Sequence, residues 1–196
     1  MKTRINKIIL KTGWIFCTLL YMSCAENKNE ETKMEQPEPP VIEAVSAEYG
    51  KIVRKVHDAL QSMEFDAFGN YFTDDAEWYW PDGSFETRTV IKGKDNLVSF
   101  WKDWKETFHI DTIEFSQINT LSLKNNVPTK YYKVEGVMVL YYGDMTLNAE
   151  GKTAKVRQQI TYVFNADKKI QKAFLYYDRT TLLKTINTSV DLNKME

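Results

Sequence analysis

The second half of the chain is dominated by segments that alternate in the manner of β-strands. Four such segments are predicted, at about residues 112–123, 131–142, 153–164 and 169–178. The turns predicted between them are KNNVPT, GDMTLNAEGK and NADKK, and each contains Asn, Asp, Gly or Pro. Four consecutive strands of this kind predict an antiparallel meander.

Helical spacing characterises the segments before these strands. Apolar residues recur every three or four positions from Val41 to Met63, which predicts an amphipathic helix with one buried face. The stretch EFDAFGNYF, at 64–72, predicts a short second helix. A third helix is predicted from Lys94 to Phe108, and the residues on its apolar face are Leu97, Trp101, Trp104 and Phe108.

The stretch AEWYWPDGSFETRTVI lies between the second and third helices. It alternates on both sides of Pro81-Asp82-Gly83, which predicts a hairpin or a strand and turn with Trp78 and Trp80 on one face. Helices that precede a meander of strands indicate an α+β domain and exclude a doubly wound parallel sheet.

Two of the predicted strands are apolar on both faces. Val139 and Tyr141 oppose Leu140 and Tyr142, although helices can cover only one side of the sheet. An antiparallel sheet with a free outer face normally carries polar residues there. We therefore expect another molecule to cover the outer face, most simply a second copy in a homodimer, the alternative being a C-terminal segment that folds back over the sheet.

The N-terminus has the pattern of an export signal. Four basic residues precede an apolar run from Gly13 to Met22, which is shorter than the roughly 20 residues that span a bilayer. Ser23-Cys24 then resembles a bacterial lipobox, with Tyr21 and Met22 in place of smaller residues. We expect a signal peptide at 1–24, lipidation of Cys24, and a domain anchored to a membrane of the bacterial cell envelope. Ordinary cleavage near Ser23 or an uncleaved anchor are the alternatives.

Composition limits the remaining chemistry. The 196 residues are 43% apolar and 13% aromatic, enough for one packed domain. Cys17 and Cys24 both lie in the leader, so the predicted domain at 41–184 has no cysteine for disulfides, thiol catalysis or metal binding. Removal of the leader takes away four of 26 basic residues and no acids, which leaves 22 against 27 and disfavours nucleic-acid binding. Charged, proline-containing residues 25–40 predict a disordered tether, and 185–196 a C-terminal tail.

Three stretches resemble the SnoaL-like branch of the nuclear transport factor 2-like superfamily: ALQSMEFDAFGNYFTDDAEWYWPDGS, IKGKDNLVSFWKDW and ITYVFNADKKIQKAFLYYDRTTLL. This resemblance covers about Val45 to Leu183. It implies a curved, mainly antiparallel sheet wrapped around three helices, forming a cone whose open end admits a small hydrophobic molecule. By the same resemblance, residues expected to line or close the cone are Trp78, Trp80, Trp101, Trp104, Gln158, Ile160, Tyr162, Leu175 and Tyr177. Each aromatic among them is expected to be packed core rather than cavity wall.

The resemblance argues against ketosteroid isomerisation. That chemistry needs an Asp base and an oxyanion hole of Tyr and protonated Asp, but the corresponding positions here are Trp80, Ile160 and Val56. His57 and Asp178 are the remaining candidate acid/base groups. We expect His57 to be a partly exposed helix residue and Asp178 an ion pair or helix cap. His109 is expected to interact with a helix C-terminus, and no metal site or cofactor is predicted.

Three functions stay open at this point. The first is a non-catalytic module that binds a small hydrophobic molecule in the cone, with Gln158 as a polar contact. The second is a lyase, isomerase or hydrolase that acts on a lipophilic molecule. The third is a protein-interaction scaffold whose cone is filled.

Overall fold

The computed structural model describes residues 41–84, 86–130 and 132–186. The predicted leader, Cys24, the tether and residues 187–196 lie outside the described residues. The elements in chain order are β1 (Ile42–Ala44), α1 (Glu48–Gln61), α2 (Phe65–Gly69), β2 (Phe72–Tyr79), β3 (Val90–Lys92), α3 (Lys94–Thr107), β4 (Ile110–Asn125), β5 (Gly136–Ala149), β6 (Lys152–Phe164), β7 (Ile170–Tyr177) and α4 (Thr180–Thr185).

The strands form one curved seven-stranded sheet in the order β1-β4-β5-β6-β7-β2-β3. The predicted meander is confirmed, since β4 to β7 pair as antiparallel neighbours. The pairing of β2 with β7 is parallel, and it places the β2–β3 hairpin at the far edge of the sheet. Helices α1 to α3 pack on the inner face, which confirms the predicted α+β cone.

Aromatic side chains fill most of the space between the helices and the sheet. Trp78 and Trp101 meet edge to face with 5.9 Å between ring centroids, and Trp80 lies 6.1 Å from Trp101. Such geometry is preferred by aromatic pairs and adds about 0.5–1.5 kcal/mol per pair beyond burial. These buried rings pack on one another as core, as expected, but they also surround a small void and are therefore cavity wall as well.

The first predicted helix begins too early. Residues Ile42–Ala44 form β1, which pairs with Leu123–Asn125 of β4, and the helix starts only at Glu48. Periodicity alone did not distinguish a short edge strand from a helical turn, because backbone pairing with a distant strand decided the outcome. The second helix likewise ends at Gly69, so that Phe72 opens a strand.

The stretch GDMTLNAEGK was wrongly predicted as a turn. Strand β5 runs through Gly143 and Asp144 as far as Ala149, and β6 starts at Lys152. A Cβ atom at Gly143 would overlap the hydroxyl of Tyr141, so glycine is needed here for space rather than for a turn. Asp144 lies on the outer face, where Arg157 and Lys155 contact its carboxylate at 3.0 and 3.1 Å. These cations hold the pKa of Asp144 below its usual value.

Part of the outer face is covered by the connection between β4 and β5. Val134 is buried there in a small apolar cluster with Met138, Val163 and Phe174, and Tyr132 packs against it. This cover was not among the predicted alternatives. Helix α4 packs on β6 from the inner side, and its Leu182 belongs to the inner core. The homodimer stays a prediction.

Candidate functional site

A small chamber lies inside the cone, where α1 and α3 face strands β2 and β4 to β7. Its volume is about 10 Å³, roughly the room that one water molecule needs. The residues that line it are His57, Leu60, Trp78, Trp80, Trp101, Trp104, Phe115, Met145, Gln158, Ile160, Leu175 and Tyr177. All the predicted cone residues except Tyr162 therefore surround one void, and Tyr162 lies behind His57.

The local sequence explains how these side chains reach the chamber. Trp78 lies on β2 and Trp80 directly follows the end of that strand, two positions further on, and both side chains are buried in the inner core. Trp101 and Trp104 are three positions apart on α3 and share the buried face of that helix. Gln158 points inward from β6, directly opposite Tyr177 of β7.

His57 is completely buried, so the prediction of a partly exposed helix residue was wrong. It is 1% exposed because α1 presses it against β5, where its ring stacks on Tyr141 with 3.8 Å between centroids. Its Nε2 atom lies 3.1 Å from the hydroxyl of Tyr162. Burial lowers the pKa of His57 to about 3, so the imidazole is neutral at ordinary pH.

Several residues that line the chamber carry a buried polar atom with no hydrogen-bond partner among the described residues. Six residues of the lining carry such an atom: His57 at Nδ1, Gln158 at Nε2, and Trp78, Trp80, Trp101 and Trp104 at their indole nitrogens. Indole N–H and amide NH₂ groups only donate hydrogen bonds. Leaving a buried donor unpaired costs about 1–3 kcal/mol, so each such group in a native structure calls for an explanation.

Tyrosines behind and beside the chamber are held neutral. Burial raises the pKa of Tyr141 to about 12, and the neighbouring Gln158 side chain offsets part of this rise. The two groups do not form a hydrogen bond of normal geometry, and the Tyr141 hydroxyl has no other partner among the described residues. Burial likewise raises the pKa of Tyr162 and of Tyr177 well above the ordinary tyrosine value. The interior is therefore polar in places but carries no charge at neutral pH.

The other two titratable candidates lie away from the chamber. Asp178 is exposed, and its Oδ1 accepts a hydrogen bond of 2.9 Å from the backbone N–H of Thr180 at the start of α4. The Thr180 side chain, followed by this backbone contact, lowers the pKa of Asp178, so the contacts of this carboxylate lie at the start of α4 and not in the chamber. His109 is exposed after α3, with its Nε2 3.9 Å from a carboxylate oxygen of Glu150.

Sequence reasoning missed two parts of the site. Phe115 reaches the chamber because it alternates with the buried Ile113 on the inner face of β4 and lies opposite Met145 of β5. Met145 was assigned to a turn. Alternation along β5 placed Tyr141 on the face opposite Tyr142 without indicating which face is the inner one, and the stacking of Tyr141 on His57 depends on Gly143, which no pattern signals.

No cluster of three or more His, Cys, Asp or Glu side chains suited to a metal occurs in the part of the chain that the structure describes. None of the helices in that part is long and apolar enough to cross a bilayer.

Comparison with known families decides the relationship of this chain. The SnoaL-like domain family matches residues 53–173, which include most of the chamber lining. The chain belongs to the SnoaL-like domain family. No curated protein sequence matches the chain.

Solved structures show the same SnoaL-like fold. An NTF2-like protein from Anabaena variabilis is 20% identical, with a TM-score of 0.52, and the match covers 71% of this chain and 96% of that one. A putative SnoaL-like polyketide cyclase from Shewanella denitrificans is 12% identical, with a TM-score of 0.52 and coverage of 74% and 100%. A protein with a ketosteroid isomerase-like fold from Catenulispora acidiphila, solved in complex with trimethylamine, is 14% identical, with a TM-score of 0.51 and coverage of 70% and 92%.

Proposed function

We propose that this SnoaL-like domain binds, without turning it over, a small and mostly apolar molecule that carries one hydrogen-bond acceptor. The observation that supports this most strongly is the set of unpartnered donors around the chamber. Aromatic and aliphatic walls with a few polar groups are typical of small-molecule sites. A carbonyl oxygen placed among these donors would remove the cost of leaving them unpaired.

The tautomer of the neutral His57 ring adds one hydrogen-bond donor to the unpaired donors of the lining. The Tyr162 hydroxyl has His57 Nε2 as its hydrogen-bond partner. We assign the proton of this bond to Tyr162, because with the other tautomer the buried Tyr162 O–H would have no acceptor among the described residues. The Nδ1 atom then carries the imidazole proton and donates, like the indole groups around it.

The volume of the chamber requires that it opens for any ligand larger than water. Phe115 and Tyr177 are only half-buried, whereas the other lining residues are buried. Met145 has a flexible side chain that adapts to irregular spaces. We therefore expect ligand binding to displace Tyr177 or Phe115 and to use the flexibility of Met145.

Enzymatic acid/base chemistry is the second candidate, and the geometry supports it less. No carboxylate lines the chamber in the described part of the chain. With a pKa of about 3, His57 is a poor base at neutral pH and is better suited to donating a hydrogen bond. These features favour recognition of a carbonyl over removal of a proton.

A small amine is the alternative ligand class. The related protein in complex with trimethylamine raises it, and aromatic faces attract cations. Here, however, the lining offers several N–H groups and no carboxylate, and an ammonium group cannot accept their hydrogen bonds. We therefore expect a neutral acceptor to bind better than an amine of the same shape.

We further propose that the domain works in the bacterial cell envelope, held to a membrane through acylated Cys24. The basic and apolar leader supports export, and Ser23-Cys24 supports acylation. Apolar ligands partition into membranes, so a tethered domain would meet them at high local concentration.

A matched set of probes tests the ligand class. Cyclohexanone, methylenecyclohexane and cyclohexylamine have similar shapes and present an acceptor, no acceptor and a cation. Titration followed by calorimetry should show cyclohexanone binding at least fivefold more tightly than the other two, since each unpaired donor that gains a partner contributes about 1 kcal/mol or more. Equal affinities for the three probes, or no binding, would contradict the proposal.

Variants of two adjacent glutamines locate this binding. Gln158→Met keeps the size of the side chain but removes the inward amide, and should reduce the preference for cyclohexanone. Gln159→Met changes the outward neighbour on the same strand and should leave it unchanged. Equal effects of both substitutions would place the binding outside the chamber.

A further inference from the structure

A second and larger cavity lies on the outer face of the sheet. It is a groove of about 550 Å³ between the β2–β3 hairpin and the connection from β4 to β5. Its floor includes Tyr142, Gln159 and Tyr176, which are in register on β5, β6 and β7. Tyr142 is 47% exposed and Tyr176 is 43% exposed, so the two rings are available at the surface.

The charged residues of the groove lining are both arginines, Arg88 and Arg157. Arg88 donates hydrogen bonds to the carbonyl oxygens of Trp80, Tyr79 and Leu175 and to the Tyr132 hydroxyl. Its guanidinium carbon lies 4.4 Å from the centre of the Tyr176 ring. No carboxylate within the described ranges pairs with Arg88. Its positive charge is therefore fixed at the groove without a neutralising partner.

Arg157 supplies a more accessible cation. Its Nε donates to Asp144 at 3.0 Å, and its side chain is 77% exposed. Asp144 is also held by Lys155, so one carboxylate serves two cations. The terminal nitrogens of Arg157 have the planar, forked geometry that suits a bound carboxylate.

An apolar cavity of about 270 Å³ adjoins the groove and shares Tyr132 and Tyr176 with it. The apolar residues that line this extension are Val134, Met138, Leu140 and Phe174, and its lining also includes Thr129, Thr161 and the exposed Lys130. Arginines at one end and aliphatic and aromatic side chains at the other match a molecule with a negative head and an apolar tail. Charge complementarity and continuity of the two cavities point to the same orientation of such a molecule.

We propose that this outer groove is a second binding site, for a free amphipathic monocarboxylate. The carboxylate contacts Arg157 and the edge of the Arg88 guanidinium group. The apolar tail lies over Tyr176 and points toward Leu140 and Phe174. The site differs from the inner chamber in its chemistry, because the chamber offers neutral donors and the groove offers fixed positive charge. Gln158 and Tyr177 line both cavities and form the wall between them.

Decanoate, kept below the concentration at which it forms micelles, is the probe for this site. Calorimetric titration of the full chain should show decanoate binding at least tenfold more tightly than 1-decanol, which lacks the charge, and than butyrate, which lacks the tail. Decyltrimethylammonium, with the opposite charge, should bind at least tenfold more weakly than decanoate. Equal binding of decanoate and decanol, or no binding of decanoate, overturns the proposal.

Two adjacent cations provide a matched pair of variants. Arg157→Gln removes a charge from the groove. Lys155→Gln removes the other cation that pairs with Asp144, and Lys155 does not line the groove. We expect Arg157→Gln to weaken decanoate binding at least tenfold and Lys155→Gln to change it less than twofold. Equal losses overturn the proposal, because they would reflect the shared Asp144 contact.

A variant that blocks the apolar end distinguishes binding at this site from binding in the chamber, and a measurement of the oligomeric state distinguishes it from a protein interface. Thr161→Trp, in the extension, should weaken decanoate binding without altering the affinity for cyclohexanone. If decanoate competes with cyclohexanone and Thr161→Trp leaves the affinity for decanoate unchanged, the carboxylate occupies the chamber and the outer site is refuted. If Arg157→Gln dissociates a dimer in sedimentation analysis and leaves decanoate affinity unchanged, the groove is an interface with a second copy and the proposal fails.

Discussion

The Nε2 atom of His57 lies 3.1 Å from the hydroxyl oxygen of Tyr162, and both side chains are fully enclosed by the cone. This contact links the first helix to the centre of the sheet across 105 residues of sequence. It orients an imidazole that burial keeps neutral, and it leaves Nδ1 without a partner. An unpaired nitrogen of this kind reduces stability unless something binds to it.

The free energy of unfolding should decrease as the pH is lowered, because of His57. The pKa of this group is about 3 in the folded chain and 6.5 ordinarily, so below pH 6.5 the unfolded chain takes up a proton that the folded chain does not. The free energy of unfolding should decrease by about 2 kcal/mol between pH 7 and pH 5. Urea denaturation at a series of pH values measures this.

His57→Phe provides the control for this pH dependence. It removes the titrating group and keeps a ring against Tyr141, so the decrease between pH 7 and 5 should largely disappear whatever the absolute stability of the variant. A decrease of equal size in both proteins would show that other groups are responsible.

Gln158→Met should stabilise the protein. The Gln158 amide is buried with its Nε2 atom unpaired, and replacement by an apolar side chain of similar size removes that cost. We expect a gain of about 1 kcal/mol in the free energy of unfolding. Gln159→Met should instead be neutral or slightly destabilising, because Gln159 donates to Thr161 Oγ1 at 2.8 Å. A loss of stability in Gln158→Met would mean that its amide has a structural partner.

Gly143→Ala should destabilise the protein. The added methyl group would overlap the Tyr141 hydroxyl and lie 2.8 Å from its Cζ atom. Overpacking of this kind costs about 1–3 kcal/mol, which thermal or urea denaturation would detect. Tyr141→Phe in the same chain should recover part of the loss, since it removes the nearest atom. A double variant no more stable than Gly143→Ala would refute the proposed overlap.

Cys24→Ser should release the protein from membranes. If Cys24 is acylated, the natural chain made in a bacterium enters the detergent phase on Triton X-114 separation, and the variant stays in the aqueous phase. Cys17→Ser changes the other cysteine of the leader and should behave like the natural chain. Identical partitioning of the two variants would contradict anchoring through Cys24.

The sequence was sufficient to predict the fold because its signals are local and mutually consistent. Alternation identified β6 and β7 almost to their ends, and helical spacing identified α3 to within a residue. The boundaries that failed were decided by distant contacts, as in the pairing of Ile42–Ala44 with β4. Likewise, Gly143 suggested a turn, whereas its role depends on the position of the Tyr141 ring.

Most of the residues that line the chamber could be predicted from the sequence, but their packing and burial could not. The family resemblance placed Trp78, Trp101 and Gln158 around one interior, and strand parity and the spacing on α3 agree with that placement. Neither signal reports how much space remains between side chains, since this depends on rotamers and packing. The burial of His57 was missed for the same reason, because it sits at the margin of the apolar face of α1 and only the curvature of the sheet encloses it.

The most direct test of the account uses the indole groups themselves. All four tryptophans outside the leader line the chamber, so a full chain carrying Trp14→Phe reports on this site alone. In ¹H–¹⁵N NMR spectra, cyclohexanone should move at least one indole N–H proton signal downfield, as expected when an unpaired donor gains an acceptor, and methylenecyclohexane should not. Identical shifts with both compounds, or none with either, would contradict the claim that these donors await an acceptor.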